Sequence, residues 1–476
     1  MSEQKFIGRE RELAALEEMY NASSFQMMII YGRRRIGKTT LINQFCSDKD
    51  PLFYTGIEEK EEENRSGFSA AAVRHFLSGS PDVTFASYSD LLHFITSQIR
   101  SDSSGKRHVI VMDEYPYIAK ASPEFSSVLQ REIDIEWQKL NIMLILCGSS
   151  VTFMEDEVLS SKSPLFGRRT GQIDLRPFDY LTSSLFTPEY SPEEKAVIFG
   201  ITGGIPKYLS LIRPDTSLQD NIIRLFFSAS GYFYEEPGNM LREEFRDIPL
   251  YHSILFAIAN GNSQVADICS KTGLDSPVVV PALKKLIAVR LIRKEYPILG
   301  KKNKRLHRYI LSDGMFRFWF RFVRQGISAI ERGYGSDYFE RAVLPYLHDF
   351  MGPVFKEICQ DYTFRTSFTG RFGIMLTEIG KWRGSDPVEK CQTDIDVVGI
   401  DFTTHSAVIG ECKFKNELFG KKEMDTLKDR ARLLSDYSVR YYLLFSLSGF
   451  SSSVISHCTE NPEFIPVTMD DLYLPD

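Results

Sequence analysis

The sequence predicts a multidomain α/β protein whose first domain is built on a parallel sheet, and three observations predict it. A strand-like run, "MMIIY", passes directly into a glycine loop and then a helix pattern. A second run, Val109 to Met112, is apolar at every position and ends on two acids, as strands covered on both faces do. Far downstream, two more strand-like runs in residues 393–415 carry carboxylates beside a lysine. The 476 residues suit about three domains. With 43% hydrophobic and 25% charged residues, the cores can be well filled.

The start, "MSEQKFIGRE", lacks the basic and apolar regions of a signal peptide, and no apolar run is long enough to span a bilayer. Seven cysteines form no CxxC pair and eight histidines no ligand cluster, so reduced thiols, a cytoplasmic location and no structural zinc are expected. The net charge of −6 argues against a general nucleic-acid binder. Its distribution does not, because residues 251–325 hold 14 Lys and Arg against 4 Asp and Glu.

The first strand is expected from about Phe25 to Tyr31, followed by the loop Gly32, Arg33, Arg34, Arg35, Ile36, Gly37 and then Lys38, Thr39 and Thr40. This is G-x-x-x-x-G-K-[ST] in a strand–loop–helix setting, the P-loop of an ATP site. Glycines let backbone N–H groups wrap phosphates, and the helix turns its positive N-terminus toward them. Lys38 is expected at the terminal phosphates and Thr39 on magnesium. Asp113, at the end of the second strand, is the further magnesium residue, and Glu114 positions and polarises the attacking water. A helix N-cap pair is the structural alternative for these two acids. The run "NIMLILCGSS" ends on Ser149, a candidate γ-phosphate sensor or a plain turn residue. Arg168 and Arg169 are candidate transition-state cations, or solvated surface charges.

In order along the chain, "FIGREREL", the phosphate loop, "VIVMDE", "LILCGSS", "PLFGRRTG" and "GGIPKYL" resemble the archaeal-ATPase family, grouped with the STAND-like and AAA+ P-loop proteins. The resemblance spans about residues 5–230. It implies a P-loop NTPase of the ASCE type: a five-stranded parallel sheet with a strand inserted between the two motif strands, and a helical lid. It also implies that Gly8 and Arg9 lie near the nucleotide and that Gly204 and Pro206 pack near the adenine. Oligomers are common in the resembled groups, so a homo-oligomer is one assembly it implies.

From Ser191 the lid reads as a capped helix with Pro192 at its first position, broken by Gly203 and Gly204, with a second helix from Pro206. Three helix patterns follow, closed by Gly261, closed by Gly273, and begun by Pro281; two strand patterns follow them, "LIRKEYPI" and "RLHRYILSD". Three helices and a hairpin make a winged helix-turn-helix. Lys301, Lys302, Lys304, Arg305 and Arg308 charge its wing for a DNA backbone, while Lys284 and Lys285 alone cannot read bases. Protein contact is the other use of such a module. "MFRFWFRFVRQ" reads as a buried connector whose arginines reach the surface.

The C-terminal strands place Glu411 and Lys413 on one face, and antiparallel pairing brings Asp396 beside Glu411. Two close carboxylates repel unless a divalent cation lies between them. The pattern, with "GKW" at Trp382 and "GECKFK" after it, resembles the PD-(D/E)xK restriction-endonuclease-like superfamily. By that resemblance Asp396 and Glu411 are metal ligands, Lys413 the catalytic lysine and Glu357 an extra helical acid. Ile395 stands where a proline is usual. The domains read as 1–180 (ATPase core), 181–248 (lid), 249–325 (winged helix) and 326–476 (endonuclease-like). The function read from all this is an ATP- and Mg2+-dependent ATPase coupling nucleotide state to DNA binding and, by the resemblance, to DNA cleavage. The alternative is an ATP-dependent switch or scaffold that binds DNA or protein without cutting.

Overall fold

A computed structural model describes residues 6–77, 79, 83–300 and 307–474. It divides into two compact units. One runs to Phe178 and includes Ile205–Lys207; the other comprises Asp179–Gly204 and the chain from Tyr208 onward.

In the first unit, β1 (Gln26–Tyr31), β2 (Leu52–Thr55), β3 (His108–Asp113), β4 (Ile142–Gly148) and β5 (Gly171–Asp174) form one sheet. Its order is β2-β3-β4-β1-β5, with every neighbouring pair parallel. β4 therefore lies between the two motif strands β1 and β3, as expected. Every residue of β4 is buried, as are all but the first of β1 and β3, because a parallel sheet is covered on both faces. Parallel direction also collects the carboxyl ends of β1, β3 and β4 at one edge, where open α/β sheets bind ligands. Two helices begin there: α1 (Lys38–Phe45) after β1 and α2 (Tyr115–Ala121) after β3. α3 (Phe125–Ile135) packs farther along the same face of the core, burying Phe125, Leu129 and Ile133.

In the second unit, a short helix, Tyr180–Ser184, precedes α4 (Pro192–Thr202), which is started by a capping box in which Ser191 and Glu194 satisfy each other's backbone N–H. Gly203 and Gly204 both take positive φ and end it; a short helix, Pro206–Leu209, follows. After helices Leu218–Phe226 and Tyr232–Glu244 come α5 (Ile248–Ala259), α6 (Val265–Thr272) and α7 (Ser276–Ala288), then an antiparallel pair, β6 (Ile292–Glu295) and β7 (Arg308–Leu311). The third helix does not begin at Pro281. Asp275 stands at its N-cap position with Pro277 in the first turn, and Pro281 lies inside, where it forfeits one backbone hydrogen bond. Of the basic wing residues, Arg308 is exposed on β7, while Lys301, Lys302, Lys304 and Arg305 lie outside the described residues.

The aromatic run is one continuous helical stretch from Gly314 to Glu331, with a π-turn at Trp319–Val323. It crosses residues 325–326 without a break. Phe316, Phe318, Phe320 and Phe322 are buried, and Arg324 lies 3.5 Å over the Phe256 ring. α8 (Leu347–Thr366) then leads to a five-stranded mixed sheet in the order β12-β11-β10-β9-β8. Its strands are β8 (Glu378–Asp386), β9 (Cys391–Asp401), β10 (Ser406–Lys413), β11 (Ser438–Ser446) and β12 (Phe464–Val467), with α9 (Lys421–Arg430) between β10 and β11. β8-β9-β10 are antiparallel, and β10-β11-β12 parallel.

Candidate active site

The loop between β1 and α1 is shaped by its glycines. A Cβ on Gly32 would stand 2.5 Å from Leu175 O, so no larger residue fits beside β5. Gly37, at φ 88°, turns the chain into α1 and would place a Cβ 3.8 Å from Pro206 Cγ. Pro206 thus borders the phosphate loop, and Lys207 N–H donates to Arg35 O. Ile36 is fully buried beneath the loop. Arg33 is buried, Arg34 donates to Tyr117 Oη at 2.5 Å, and Thr40 is exposed on the first turn of α1.

Lys38 is 6% exposed, and its Nζ donates to Gly32 O at 2.9 Å and Arg33 O at 3.1 Å. Burial pushes its pKa down, against the pull of the Glu114 and Asp113 carboxylates. Thr39 Oγ1 donates to Asp113 Oδ2 at 2.8 Å. A hydroxyl and a carboxylate in contact are a hard-oxygen pair, the donor chemistry magnesium prefers. Beside them the Cys147 thiol is fully buried; burial first, then Asp113, pushes it well above its ordinary pKa, so it stays protonated.

Glu114 occupies the N-cap position of α2 in a left-handed conformation, φ 48°, an uncommon geometry for a glutamate. Its side chain caps nothing. Instead Oε2 accepts from Ser149 Oγ at 2.7 Å and from Ser149 N–H at 3.2 Å, across to the end of β4. The helix-cap alternative for this acid therefore falls, and the serine at the end of β4 is tied to Glu114.

Arg9 follows Gly8, both at positive φ. Arg9 donates to Arg176 O at 2.6 Å, pairs with Glu12 at 3.0 Å and lies 4.2 Å over the Phe178 ring; its 3.4 Å bond to Ile36 O reaches the phosphate loop. Arg168 is placed differently. Its guanidinium is held by Asp134 of α3 at 2.8 and 3.0 Å, and it also donates to Phe166 O. The candidate cation is thus engaged by a carboxylate in its own unit.

In the C-terminal sheet, the register that pairs Gly410 with Val397 places Glu411 opposite Asp396 at the next step. Asp396 is buried, and Lys356 of α8 pairs with it at 2.6 Å, with Lys381 of β8 at 3.7 Å. Burial opposes the Lys356 ammonium, but the Asp396 charge outweighs it and raises its pKa. Glu411 pairs with Arg430 of α9 at 3.3 Å. Its carboxyl is pushed up to about 7, by burial first and then by Asp396.

Two expected residues lie elsewhere. Glu357 is held by Arg293 at 2.6 Å and Arg317 at 3.5 Å; burial opposes its charge, and the two arginines outweigh it and lower its pKa. It is not a ligand beside Asp396. On a helix, residues 356 and 360 share a face and 357 is turned about 100° away. Lys356 and Gln360, which donates to Asp396 O at 2.8 Å, take the positions facing β9. That spacing was readable in the sequence, and it points to Lys356. Lys413 does share the side of Glu411, but its Nζ is held by Glu423 at 2.9 Å and Leu418 O at 3.1 Å. Among the described residues no group of three His, Cys, Asp or Glu is arranged to hold a metal ion. The carboxylates here are matched by lysine and arginine, so the set does not fit a metal centre.

Comparison with known proteins bears on both units. Residues 6–212 match the family model described as an ATPase domain predominantly from Archaea, and residues 319–427 match one described as archaeal and bacterial proteins of unknown function. The uncharacterized protein MJECL04 of Methanocaldococcus jannaschii is 30% identical over 470 residues, covering 94% of this chain and all of that one. An uncharacterized ATP-binding protein of the same organism, MJ0423, is 46% identical over 44 residues, 9% of this chain and 75% of its own. The Walker-type ATPase paby2304 of Pyrococcus abyssi has a similar fold at a TM-score of 0.51 and 19% identity, covering 66% of this chain and 96% of that one. Among the described residues no helix is long and apolar enough to cross a membrane.

Proposed function

The chain belongs to the family of M. jannaschii MJECL04, with an ATPase domain of the predominantly archaeal type, and from that premise we propose that it is an ATP-hydrolysing switch whose nucleotide state governs DNA binding. The observation that carries the ATPase reading is the alignment of Thr39, Asp113, Glu114 and Ser149 at the carboxyl edge of the sheet. The phosphate loop receives the phosphates on its backbone N–H groups, and Lys38 moves from the loop carbonyls to the terminal phosphates. Thr39 and Asp113 would hold magnesium, which supplies charge neutralisation on the phosphates when bound. Glu114 orients the attacking water, and Ser149 fixes the carboxylate that does so. Pro206 and Gly8–Arg9 border the loop, consistent with a place near the base and sugar.

The test is phosphate release. Lys38→Ala is expected to lose ATP binding. Glu114→Gln is expected to keep binding while kcat falls about 100-fold or more. Wild-type turnover in Glu114→Gln would remove Glu114 from the mechanism.

For the second unit, the three helices and the hairpin α5-α6-α7-β6-β7 support a winged helix-turn-helix, and its basic stretch supports backbone-dominated DNA contact. Metal-dependent cleavage is the reading that the endonuclease resemblance raises, since Asp396 and Glu411 oppose each other on neighbouring strands, but that set does not fit a metal centre. The cation pairing of both acids and the diverted Glu357 and Lys413 favour the reading without cleavage. Divalent-dependent cutting of duplex DNA that disappears in Glu411→Gln would reverse that preference; no cutting by wild type ends the nuclease reading.

A further inference from the structure

The hairpin and the C-terminal sheet meet at one edge. β8 is an edge strand, and unpaired edges are usually covered. The chain leaving β6 provides the cover: Ile298 N–H donates to Lys381 O at 2.8 Å, and a Cβ on Gly380 would stand 3.6 Å from Ile298 Cβ. Ile298 is 3% exposed, inside the same apolar cluster as Ile395, Val398 and Ile400. The hairpin is therefore anchored in the core of the larger sheet.

That junction carries two guanidiniums. Arg308, exposed on β7, stands opposite Glu295, and Arg383 on β8 stands opposite Asp394. Burial lowers the pKa of Arg383, and the Arg308 charge lowers it further, while Glu295 and Asp394 oppose the shift. Of the two acids that act on Arg383, Lys381 takes Asp394, which leaves Glu295 alone for two guanidiniums. Among the described residues neither the Arg308 nor the Arg383 side chain closes an ion pair or hydrogen bond. Two like charges held together are unfavourable until an anion comes between them. Guanidinium forks bind phosphate oxygens in pairs and with fixed geometry.

We propose that Arg308 and Arg383 jointly grip a phosphodiester of a nucleic-acid backbone, so that the DNA contact runs from the hairpin onto the edge of the C-terminal sheet. This rests on the DNA-binding reading above and names a site within it. The contact is to backbone and not to bases, so it adds affinity and register without sequence preference.

The experiment is anisotropy of labelled duplex DNA, titrated with the full chain at several salt concentrations. Arg383→Glu and Arg308→Glu are each expected to weaken binding about ten-fold and to reduce the salt slope by about 1. Arg383→Lys, which keeps the charge and loses the fork, is expected to fall between them and wild type. Melting temperatures of all variants establish that they are folded, and the lysine variant keeps the test alive if a reversed charge unfolds the chain. A duplex RNA arm shows whether DNA alone is taken. If Arg383→Glu binds as wild type while Lys301→Glu combined with Lys302→Glu weakens binding, this site is wrong and the DNA reading stands. Loss of self-association with unchanged DNA affinity would assign the pair to a protein contact and overturn the proposal. If wild type binds no duplex, both readings fall.

Discussion

At the scale of single residues, the C-terminal acids show how burial and pairing divide between neighbours. Asp396 has two lysines, while Glu411 has one arginine and a facing carboxylate. The raised pKa of Glu411, about 7 against an ordinary 4.5, fixes a sign. Between these two values the folded chain holds a proton that the unfolded chain has released, so stability falls as pH rises through this window. It is fully present below the lower value and lost above the upper. Glu411→Gln keeps the shape and removes the titration. The wild-type melting temperature is therefore expected to drop between about pH 5 and about pH 8 by a few degrees more than that of Glu411→Gln. Equal slopes would mean that Arg430 holds Glu411 ionised throughout. The sequence put Asp396 and Glu411 together because strand alternation and a short turn leave little choice. It did not place Lys381 or Arg430, because each reaches the pair from a separate element.

At the scale of elements, local chemistry and tertiary packing were unequally legible. Strands buried on both faces, the P-loop turn and the Ser191 capping box announce themselves in composition and spacing, since each is satisfied by nearby residues. Pro281 misled because Pro277 and Asp275 already supply the helix start. The cover of β8 by Ile298 was not legible at all. The strand pattern "LIRKEYPI" runs through Ile298, whereas the strand ends at Glu295, and only the folded register shows that isoleucine entering another sheet's core. That packing makes a prediction: Ile298→Ala is expected to cost about 2–4 kcal/mol, the usual loss for a truncated buried isoleucine. Denaturant unfolding of the full chain measures it. A loss below about 1 kcal/mol would mean that the hairpin end rests on the sheet without being part of its core. The same anchoring explains why Arg293 and Arg317 reach Glu357. The hairpin strand, the aromatic helix and α8 converge on one carboxylate, which sequence separation had concealed.

At the scale of the molecule, an acidic chain carries one strongly basic stretch and one nucleotide site, and a switch requires that the two exchange free energy. Coupling of this kind is reciprocal: if ATP multiplies DNA affinity by some factor, DNA multiplies ATP affinity by the same factor. Glu114→Gln makes the measurement possible, because a variant that binds without hydrolysing lets both ligands reach equilibrium. With it, saturating ATP is expected to change the DNA dissociation constant by about 5- to 50-fold, and saturating duplex to change that of ATP equally. Titrations in both orders supply the two factors. A factor of one in each order would leave an ATPase and a DNA-binding unit joined by chain alone, and the switch would be lost while each site survived. Unequal factors cannot describe a single equilibrium. They would mean that ATP is still being consumed or that DNA occupies a second, nucleotide-insensitive site, and Lys38→Ala separates those cases because only the second persists when ATP no longer binds.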